Sequence, residues 1–312
     1  MVGNGNHERF YDWQAFTNRY HMPDNSPKLA SNGGFWYTFS YGNIQWISLS
    51  SEHPLDTSSE QYAFLREALD AAAANRDNVP WIIVTIHKPL YCSVDGSPSF
   101  ANLLEDILIE YDVDLTITGH MHAYERIHPV KDGVVTVQPT QEFKIMGSKE
   151  EKNLSIRKID KYHSTGFGPV HLMQGHAGGM QFERWVQPQP DWSAFRMANG
   201  LIAPNVSFDH SVRGEWNQRF PSQTLDLFND INCFLPENSQ MCELYQQLPL
   251  LTQREIDLSF NGYNYSSTYG FGYIQAINST HLLYEMIPNV DGLLNHDNFY
   301  IIKDHKSVNK SK

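Results

Sequence analysis

The chain has 312 residues, of which 41% are hydrophobic and 13% aromatic, so it can bury a sizeable core and is not disordered as a whole. Acidic residues outnumber basic residues by 35 to 23, and the formal net charge of -12 excludes the basic surface of a nucleic-acid-binding protein. No apolar run approaches the ~20 residues that a membrane-spanning helix needs. Because an acidic surface repels phosphate-rich ligands, binding one would require a local positive centre such as a metal ion.

The first predicted elements are a hairpin and a helix. Aromatic and β-branched residues on both sides of a turn signal at 41–43 predict a β-hairpin over residues 35–52. A helix is predicted from about Ser58, because Ser58 and Gln61 have the spacing of a capping box and a periodic apolar face follows.

A strand, a helix and a second strand follow in that order. Residues 81–86 form a short continuous apolar run that ends at His87, as expected for a strand buried on both faces. Residues 100–111 carry apolar side chains at helical spacing, which predicts an amphipathic helix. Residues 113–118 predict a second strand, which ends at the segment 119–122. This order favours a parallel β-α-β unit within an α/β fold.

Both predicted strands end at histidines. In open α/β sheets, ligands bind beyond the carboxyl ends of the strands. Two neighbouring parallel strands would therefore bring His87, His120 and His122 to one rim of the sheet.

The second half of the chain is less regular. Residues 149–161 form a mixed-charge run, which predicts a solvated loop. Residues 185–265 are rich in aromatic residues, Asn, Gln and Pro, and they show no clear periodicity. Residues 271–302 predict antiparallel strands.

Histidines and one amide form a candidate metal site. Asn6, His7, His87, His120 and His122 offer imidazole nitrogens and an amide oxygen, which suit a divalent first-row metal. The two histidines of the H-x-H pair can point at two different metals. The alternative is that each histidine is simply a polar residue at a sheet edge.

Three segments resemble the last three motifs of the purple acid phosphatases, a family of the calcineurin-like metallophosphoesterase superfamily. They are residues 5–8 (GNHE), 84–91 (VTIHKPLY) and 119–126 (GHMHAYER). The resemblance covers residues 1 to about 130 well and about 266–302 moderately. Residues 185–265 look like an insertion within a single domain spanning residues 1–312.

The resemblance implies a fold and a role for each site residue. The fold would be a four-layer α/β/β/α sandwich with two mixed sheets. Asn6, His87 and His120 would bind zinc, manganese or ferrous iron, and His122 would bind ferric iron. His7 would contact phosphate or protonate the leaving group, although its ring could instead only orient Asn6.

Arg126 follows the H-x-H pair closely and is a further candidate. It could attract phosphate, but pairing with a nearby carboxylate is the favoured interpretation.

The implied activity is the hydrolysis of small phosphomonoesters at acidic pH by a binuclear metal centre. A metal-bound hydroxide would attack phosphorus in line with the leaving group. The alternatives are a phosphodiesterase or nucleotide hydrolase of the same superfamily, and a non-catalytic protein that binds at most one metal.

The family's first two motifs, which supply its aspartate and tyrosinate ligands, precede the Asn-His-Glu segment. Only five residues precede Asn6 here, so we expect an N-terminally truncated domain with an incomplete ferric site and impaired activity. Two adjacent cations would repel each other without a bridging carboxylate.

The cellular compartment is indicated only by weak features. The first residues lack the basic and apolar segments of a signal peptide. Cys233 and Cys242 could form a disulfide or remain free thiols. Together with glycosylation sequons, a possible disulfide favours a secreted or a lysosomal or vacuolar glycoprotein. The sequons lie at Asn153, Asn205, Asn264, Asn278 and Asn309.

Overall fold

The computed structural model describes eight segments of the chain, all within the compact unit that comprises Met1–Ala203 and Ser267–Lys312. The described segments are residues 1–23, 32–146, 155–164, 166–178, 185–198, 201–202, 269–288 and 297–303. Among these residues no helix is both long and apolar enough to cross a bilayer.

Fifteen strands are found in these segments. They are β1 (Tyr37–Tyr41), β2 (Ile44–Ser48), β3 (Trp81–Thr85), β4 (Leu115–Thr118), β5 (Tyr124–Ile127), β6 (Val130–Lys131), β7 (Val134–Val135), β8 (Thr140–Met146), β9 (Ser155–Ser164), β10 (Val170–Gln174), β11 (Ser193–Ala198), β12 (Leu201–Ile202), β13 (Gly270–Ala276), β14 (His281–Pro288) and β15 (Asn298–Lys303).

The helices of the described residues are α1 (Gln14–Arg19), α2 (Glu60–Ala74) and α3 (Ala101–Glu110), with a 3₁₀ turn at Asn32–Gly34. The helix predicted from about Ser58 is α2, but its N-cap is Ser59, whose hydroxyl accepts a hydrogen bond from the Tyr62 amide. Ser58 instead hydrogen-bonds the carboxylate of Asp56. The amphipathic pattern at 100–111 corresponds to α3.

The larger sheet of the described residues has eight strands in the order β1-β2-β3-β4-β10-β5-β11-β12. β1 and β2 form the predicted antiparallel hairpin. β2, β3, β4 and β10 run parallel to one another, which confirms the predicted parallel unit of β3, α3 and β4. The carboxyl ends of these parallel strands therefore share one rim.

A second sheet of five strands, in the order β13-β14-β15-β9-β8, packs on the first. Its β13, β14 and β15 are the antiparallel strands predicted over 271–302. A third, two-stranded sheet pairs β6 with β7.

Two apolar clusters explain the order of the layers. Alternate residues of β3 face opposite ways: Ile82 and Val84 pack with α2 and α3, whereas Trp81 and Ile83 pack towards the second sheet. Because β3 is covered on both faces, its sequence is continuously apolar. Within the described residues the layers are thus helix, sheet and sheet, in agreement with the expected α/β sandwich.

The predicted solvated loop at 149–161 is wrong over residues 155–161, which belong to β9 between β8 and β15. The charges of Lys158 and Lys161 misled the prediction, and Asp160 lies between them. Its carboxylate is buried, and it pairs with Arg126 of the other sheet at 2.7 Å, a partner that the local sequence does not reveal.

Part of the predicted insertion at 185–265 belongs to the main sheet, since β11 pairs with β5. Residues 203–268 lie outside the described residues, and so do Cys233, Cys242 and four of the five sequons. The remaining sequon, at Asn278, is exposed between β13 and β14.

Candidate metal centre

The site lies at the rim where the parallel strands end. His87 follows β3, and His120 and His122 follow β4. The Gly119 amide donates to the His87 carbonyl at 2.8 Å, which holds the two loops together beyond the last strand pair. Asn6 reaches the same point from the N-terminal segment.

Three side-chain atoms converge there. The amide oxygen Oδ1 of Asn6 lies 2.8 Å from Nε2 of His87 and 3.3 Å from Nδ1 of His120. The two ring nitrogens are 3.2 Å apart. The structure therefore brings together three of the six residues that the sequence proposed as metal ligands or site residues.

This donor set fits one divalent cation. Ligand atoms that share a first-row cation at about 2.1 Å lie roughly 3 Å from one another, as these three atoms do. Two imidazoles and an amide oxygen are suitable ligands for zinc, manganese or ferrous iron. A richer set is not formed: the described residues contain no cluster of three or more His, Cys, Asp or Glu that could hold a metal ion.

Close backbone packing positions the rings. A Cβ at Gly5 would lie 2.7–2.8 Å from three ring atoms of His87, so only glycine allows this approach. The Gly5 amide donates to Glu8 at 2.7 Å, which shapes the turn that carries Asn6. His120 has a φ of 71°, a strained conformation of the kind that clusters at functional sites.

A buried hydrogen-bond network holds the segment that precedes the Asn6 turn. Ser50 donates to the Asn4 amide oxygen at 2.6 Å, and the Asn4 amide donates to the Phe35 carbonyl at 2.6 Å. Gln61 of α2 accepts from the Ser50 amide and donates to the Ser50 carbonyl. Sequence reasoning missed this network, because its members come from separate segments.

The electrostatic surroundings favour neutral rings. Burial, followed by the neighbouring His120, lowers the pKa of His87 to about 4. Burial, followed by the charge of Lys88, also lowers the pKa of His120. Both rings are therefore neutral near pH 7, which is the state in which imidazole binds a cation.

His7 and His122 lie at the same rim. His7 is exposed, and its ring centroid lies 5.8 Å from that of Phe10. His122 is half-buried. The charges of His122 and His7 both contribute to lowering the pKa of His120, so both rings are within electrostatic reach of the three converging atoms.

Arg126 lies between the two sheets and is 3% exposed. Its guanidinium donates to Asp160 at 2.7 Å, to Asp297 at 2.8 Å and to the hydroxyl of Tyr162 at 2.7 Å. The structure thus shows the ion pair with nearby carboxylates, and the guanidinium is enclosed in the core instead of facing phosphate.

A cavity of about 400 Å³ lies against His87 on the side of the N-terminal segment. Its lining includes the aromatic side chains of Tyr37, Phe39 and Trp46 beside His87.

The chain is similar to several known proteins. Residues 2–124 match the calcineurin-like phosphoesterase family. Acid phosphatase type 7 from Danio rerio is 32% identical over 224 residues, covering 63% of this chain and 45% of that protein. Purple acid phosphatase 18 from Arabidopsis thaliana is 29% identical over 212 residues, covering 64% of this chain and 41% of that protein.

A solved structure shows the same fold. The purple acid phosphatase PPD1 from yellow lupin (Lupinus luteus) seeds superposes with a TM-score of 0.60 at 20% identity, covering 99% of this chain and 41% of that one. The chain spans less than half the length of each of these proteins.

Proposed function

We propose that the chain is a metal-dependent phosphomonoester hydrolase, because residues 2–124 match the calcineurin-like phosphoesterase family and 63–64% of the chain aligns with acid and purple acid phosphatases. One observation carries the proposal: Asn6, His87 and His120 bring three ligand atoms within 2.8–3.3 Å of one another at the rim of a parallel sheet. The substrate would be a small phosphomonoester.

Asn6, His87 and His120 would hold one divalent cation, which is zinc, manganese or ferrous iron in this proposal. When bound, such a cation supplies a Lewis acid that polarises phosphoryl oxygens and lowers the pKa of water. In the overall reaction a bond forms between the oxygen of water and phosphorus, and the ester P–O bond breaks. The products are inorganic phosphate and an alcohol.

His7 is the proposed proton donor to the leaving oxygen. Its ring is exposed at the rim and lies within electrostatic reach of His120, so it can approach a bound ester. A histidine suits this role because imidazole is the side chain that most often acts as a general acid in enzymes.

The proposed ferric site is incomplete in the described residues. His122 is the ligand assigned to it, and among the described residues no cluster of three or more His, Cys, Asp or Glu could hold a metal ion. We therefore propose that the described residues hold one cation. We expect weak phosphatase activity from this sequence by itself.

Because these ligand atoms would hold one cation, a second candidate function is that of a protein that binds one metal without catalysing hydrolysis. A phosphodiesterase or nucleotide hydrolase remains the alternative within the same superfamily. A secreted or a lysosomal or vacuolar location belongs to the same proposal, as does glycosylation at exposed sequons such as Asn278.

The test is a metal analysis joined to a substrate panel. The purified chain is loaded with zinc, manganese or ferrous iron, and bound metal is measured by mass spectrometry. Turnover is then measured with p-nitrophenyl phosphate, bis-p-nitrophenyl phosphate and ATP.

We expect one cation per chain and slow monoester hydrolysis. One cation without turnover supports the non-catalytic candidate, diester or ATP preference supports the other hydrolases, and a chain that binds no cation refutes all three.

A further inference from the structure

An ion pair lies beside the candidate metal centre. Nζ of Lys88 is 2.9 Å from Oε1 of Glu52. Lys88 directly follows His87 after β3, and Glu52 lies in the loop after the neighbouring parallel strand β2. The pair therefore occupies the same rim as the histidines.

The carboxylate of this pair is fixed. The Glu52 side chain is only 4% exposed, and its Oε1 also accepts from the Ser51 hydroxyl at 2.9 Å. That same hydroxyl accepts from the Lys88 amide at 3.3 Å. Both ends of Lys88 are thereby tied to the loop that carries Glu52.

The ammonium group keeps capacity for another partner. An ammonium carries three N–H donors. Among the described residues Glu52 is the carboxylate that pairs with it, and the Lys88 side chain remains 23% exposed. Lys88 also contributes to lowering the pKa of both His87 and His120, so its charge reaches the centre.

We propose that Lys88 contacts the phosphate group of the substrate and that Glu52 positions it for this contact. The inference rests on the proposed phosphatase function. A phosphomonoester dianion approaches a protein of net charge -12, and a lysine at the rim supplies positive charge where that repulsion must be overcome. A charge-assisted hydrogen bond to a phosphate oxygen also orients the ester over His87 and His120.

Inorganic phosphate is the probe, and calorimetric titration of the full chain, with and without zinc, is the measurement. Lys88→Gln removes the charge, and we expect phosphate binding to weaken about tenfold or more. Lys88→Arg keeps the charge, and binding should stay within a few-fold of wild type. Lys131→Gln is the matched control, because Lys131 also pairs with a carboxylate, that of Asp106, but lies on the β6–β7 hairpin.

The role of Glu52 is tested through Lys88. If Glu52 positions the ammonium, Glu52→Ala should weaken phosphate binding several-fold in the wild-type background and change nothing in the Lys88→Gln background. If its carboxylate only repels phosphate, the substitution should tighten binding in both backgrounds. That second result would overturn the positioning role.

The outcomes separate this inference from the proposed function. Unchanged phosphate affinity in Lys88→Gln, with circular dichroism showing an intact fold, overturns the inference even if the chain hydrolyses p-nitrophenyl phosphate. A wild-type chain that binds no phosphate overturns it as well. Lysine-dependent phosphate binding without any turnover supports the inference and refutes the hydrolase.

Discussion

The side-chain oxygen of Asn6 lies 2.8 Å from Nε2 of His87, although 81 positions separate the two residues in the chain. His120 joins them from a third segment, with its Nδ1 3.2 Å from the same nitrogen. These contacts have hydrogen-bond lengths, in which a ring N–H of the right tautomer donates. The same two ring nitrogens and amide oxygen are also suitable ligands for a first-row cation.

Removing the amide ligand should weaken cation binding. We expect Asn6→Ala to lower zinc affinity by at least about tenfold, since even the loss of groups that only orient metal ligands costs 10–100-fold. Calorimetric titration with zinc measures the effect. Asn18→Ala serves as the control, because Asn18 is exposed on α1 and its amide donates to the carbonyl of Gln14 on the same helix. Equal affinities for wild type and Asn6→Ala would exclude Asn6 as a ligand.

A methyl group at Gly5 should displace His87. The added Cβ would lie 2.7–2.8 Å from the ring, closer than such contacts allow, so the ring must move away from Asn6. We expect Gly5→Ala to lose zinc affinity about as strongly as Asn6→Ala. At Gly3 the added Cβ would meet only the Ser48 hydroxyl at 3.9 Å, so Gly3→Ala should bind zinc like wild type. A Gly5→Ala chain with normal affinity would show that the ring tolerates displacement.

Sequence reasoning predicted the rim because hydrophobic patterning was unambiguous there. The apolar run at 81–86 and the amphipathic helix at 100–111 impose a parallel unit, and the ends of parallel strands meet at one edge. That logic placed His87 and His120 together, and the structure confirms their proximity.

The same reasoning failed where a charge was neutralised from a distance. Asp160 is a buried strand residue whose carboxylate pairs with Arg126 of the other sheet, as well as with Lys158 on its own strand. Glu52 and Lys88 likewise pair across two loops, and neither loop has a periodicity that points to the other. Such contacts depend on which strands become neighbours, which is information that a local window of sequence lacks.

A buried carboxylate before β4 should contribute strongly to the free energy of unfolding. Asp114 has a fully buried side chain, accepts from the Ile82 amide at 2.8 Å, and pairs with Lys303 at 2.9 Å and with Arg76 at 3.2 Å. Asp114→Ala would leave the buried Lys303 charge without its counter-ion. We therefore expect the free energy of unfolding to fall by about 3–5 kcal/mol. Urea denaturation followed by circular dichroism measures it.

The control for that prediction is an exposed ion pair. Glu110 lies 3.4 Å from Arg66, and both side chains are largely exposed. Glu110→Ala should therefore change the urea midpoint very little. Similar midpoints for Asp114→Ala and Glu110→Ala would contradict an anchoring role for Asp114.

Stability should fall as the pH is lowered below about 6.5, in part because of His171. This ring is fully buried on β10, its Nδ1 lies 2.7 Å from the Thr116 hydroxyl, and burial lowers its pKa to about 3 from an ordinary value of 6.5. Between these two values the unfolded chain takes up a proton that the folded chain does not. The contribution of His171 to the free energy of unfolding is thus fully present above pH 6.5. It is lost as the pH falls towards 3, at about 1.4 kcal/mol per pH unit.

His171→Gln removes this proton uptake. The variant will be less stable than wild type near pH 7, but its stability should decline less steeply between pH 6.5 and pH 4.5. Thermal unfolding midpoints measured across this range provide the two slopes, and His21→Gln, at an exposed position, controls for the loss of a histidine as such. Parallel curves for wild type and His171→Gln would mean that the buried ring is not the source of the acid sensitivity.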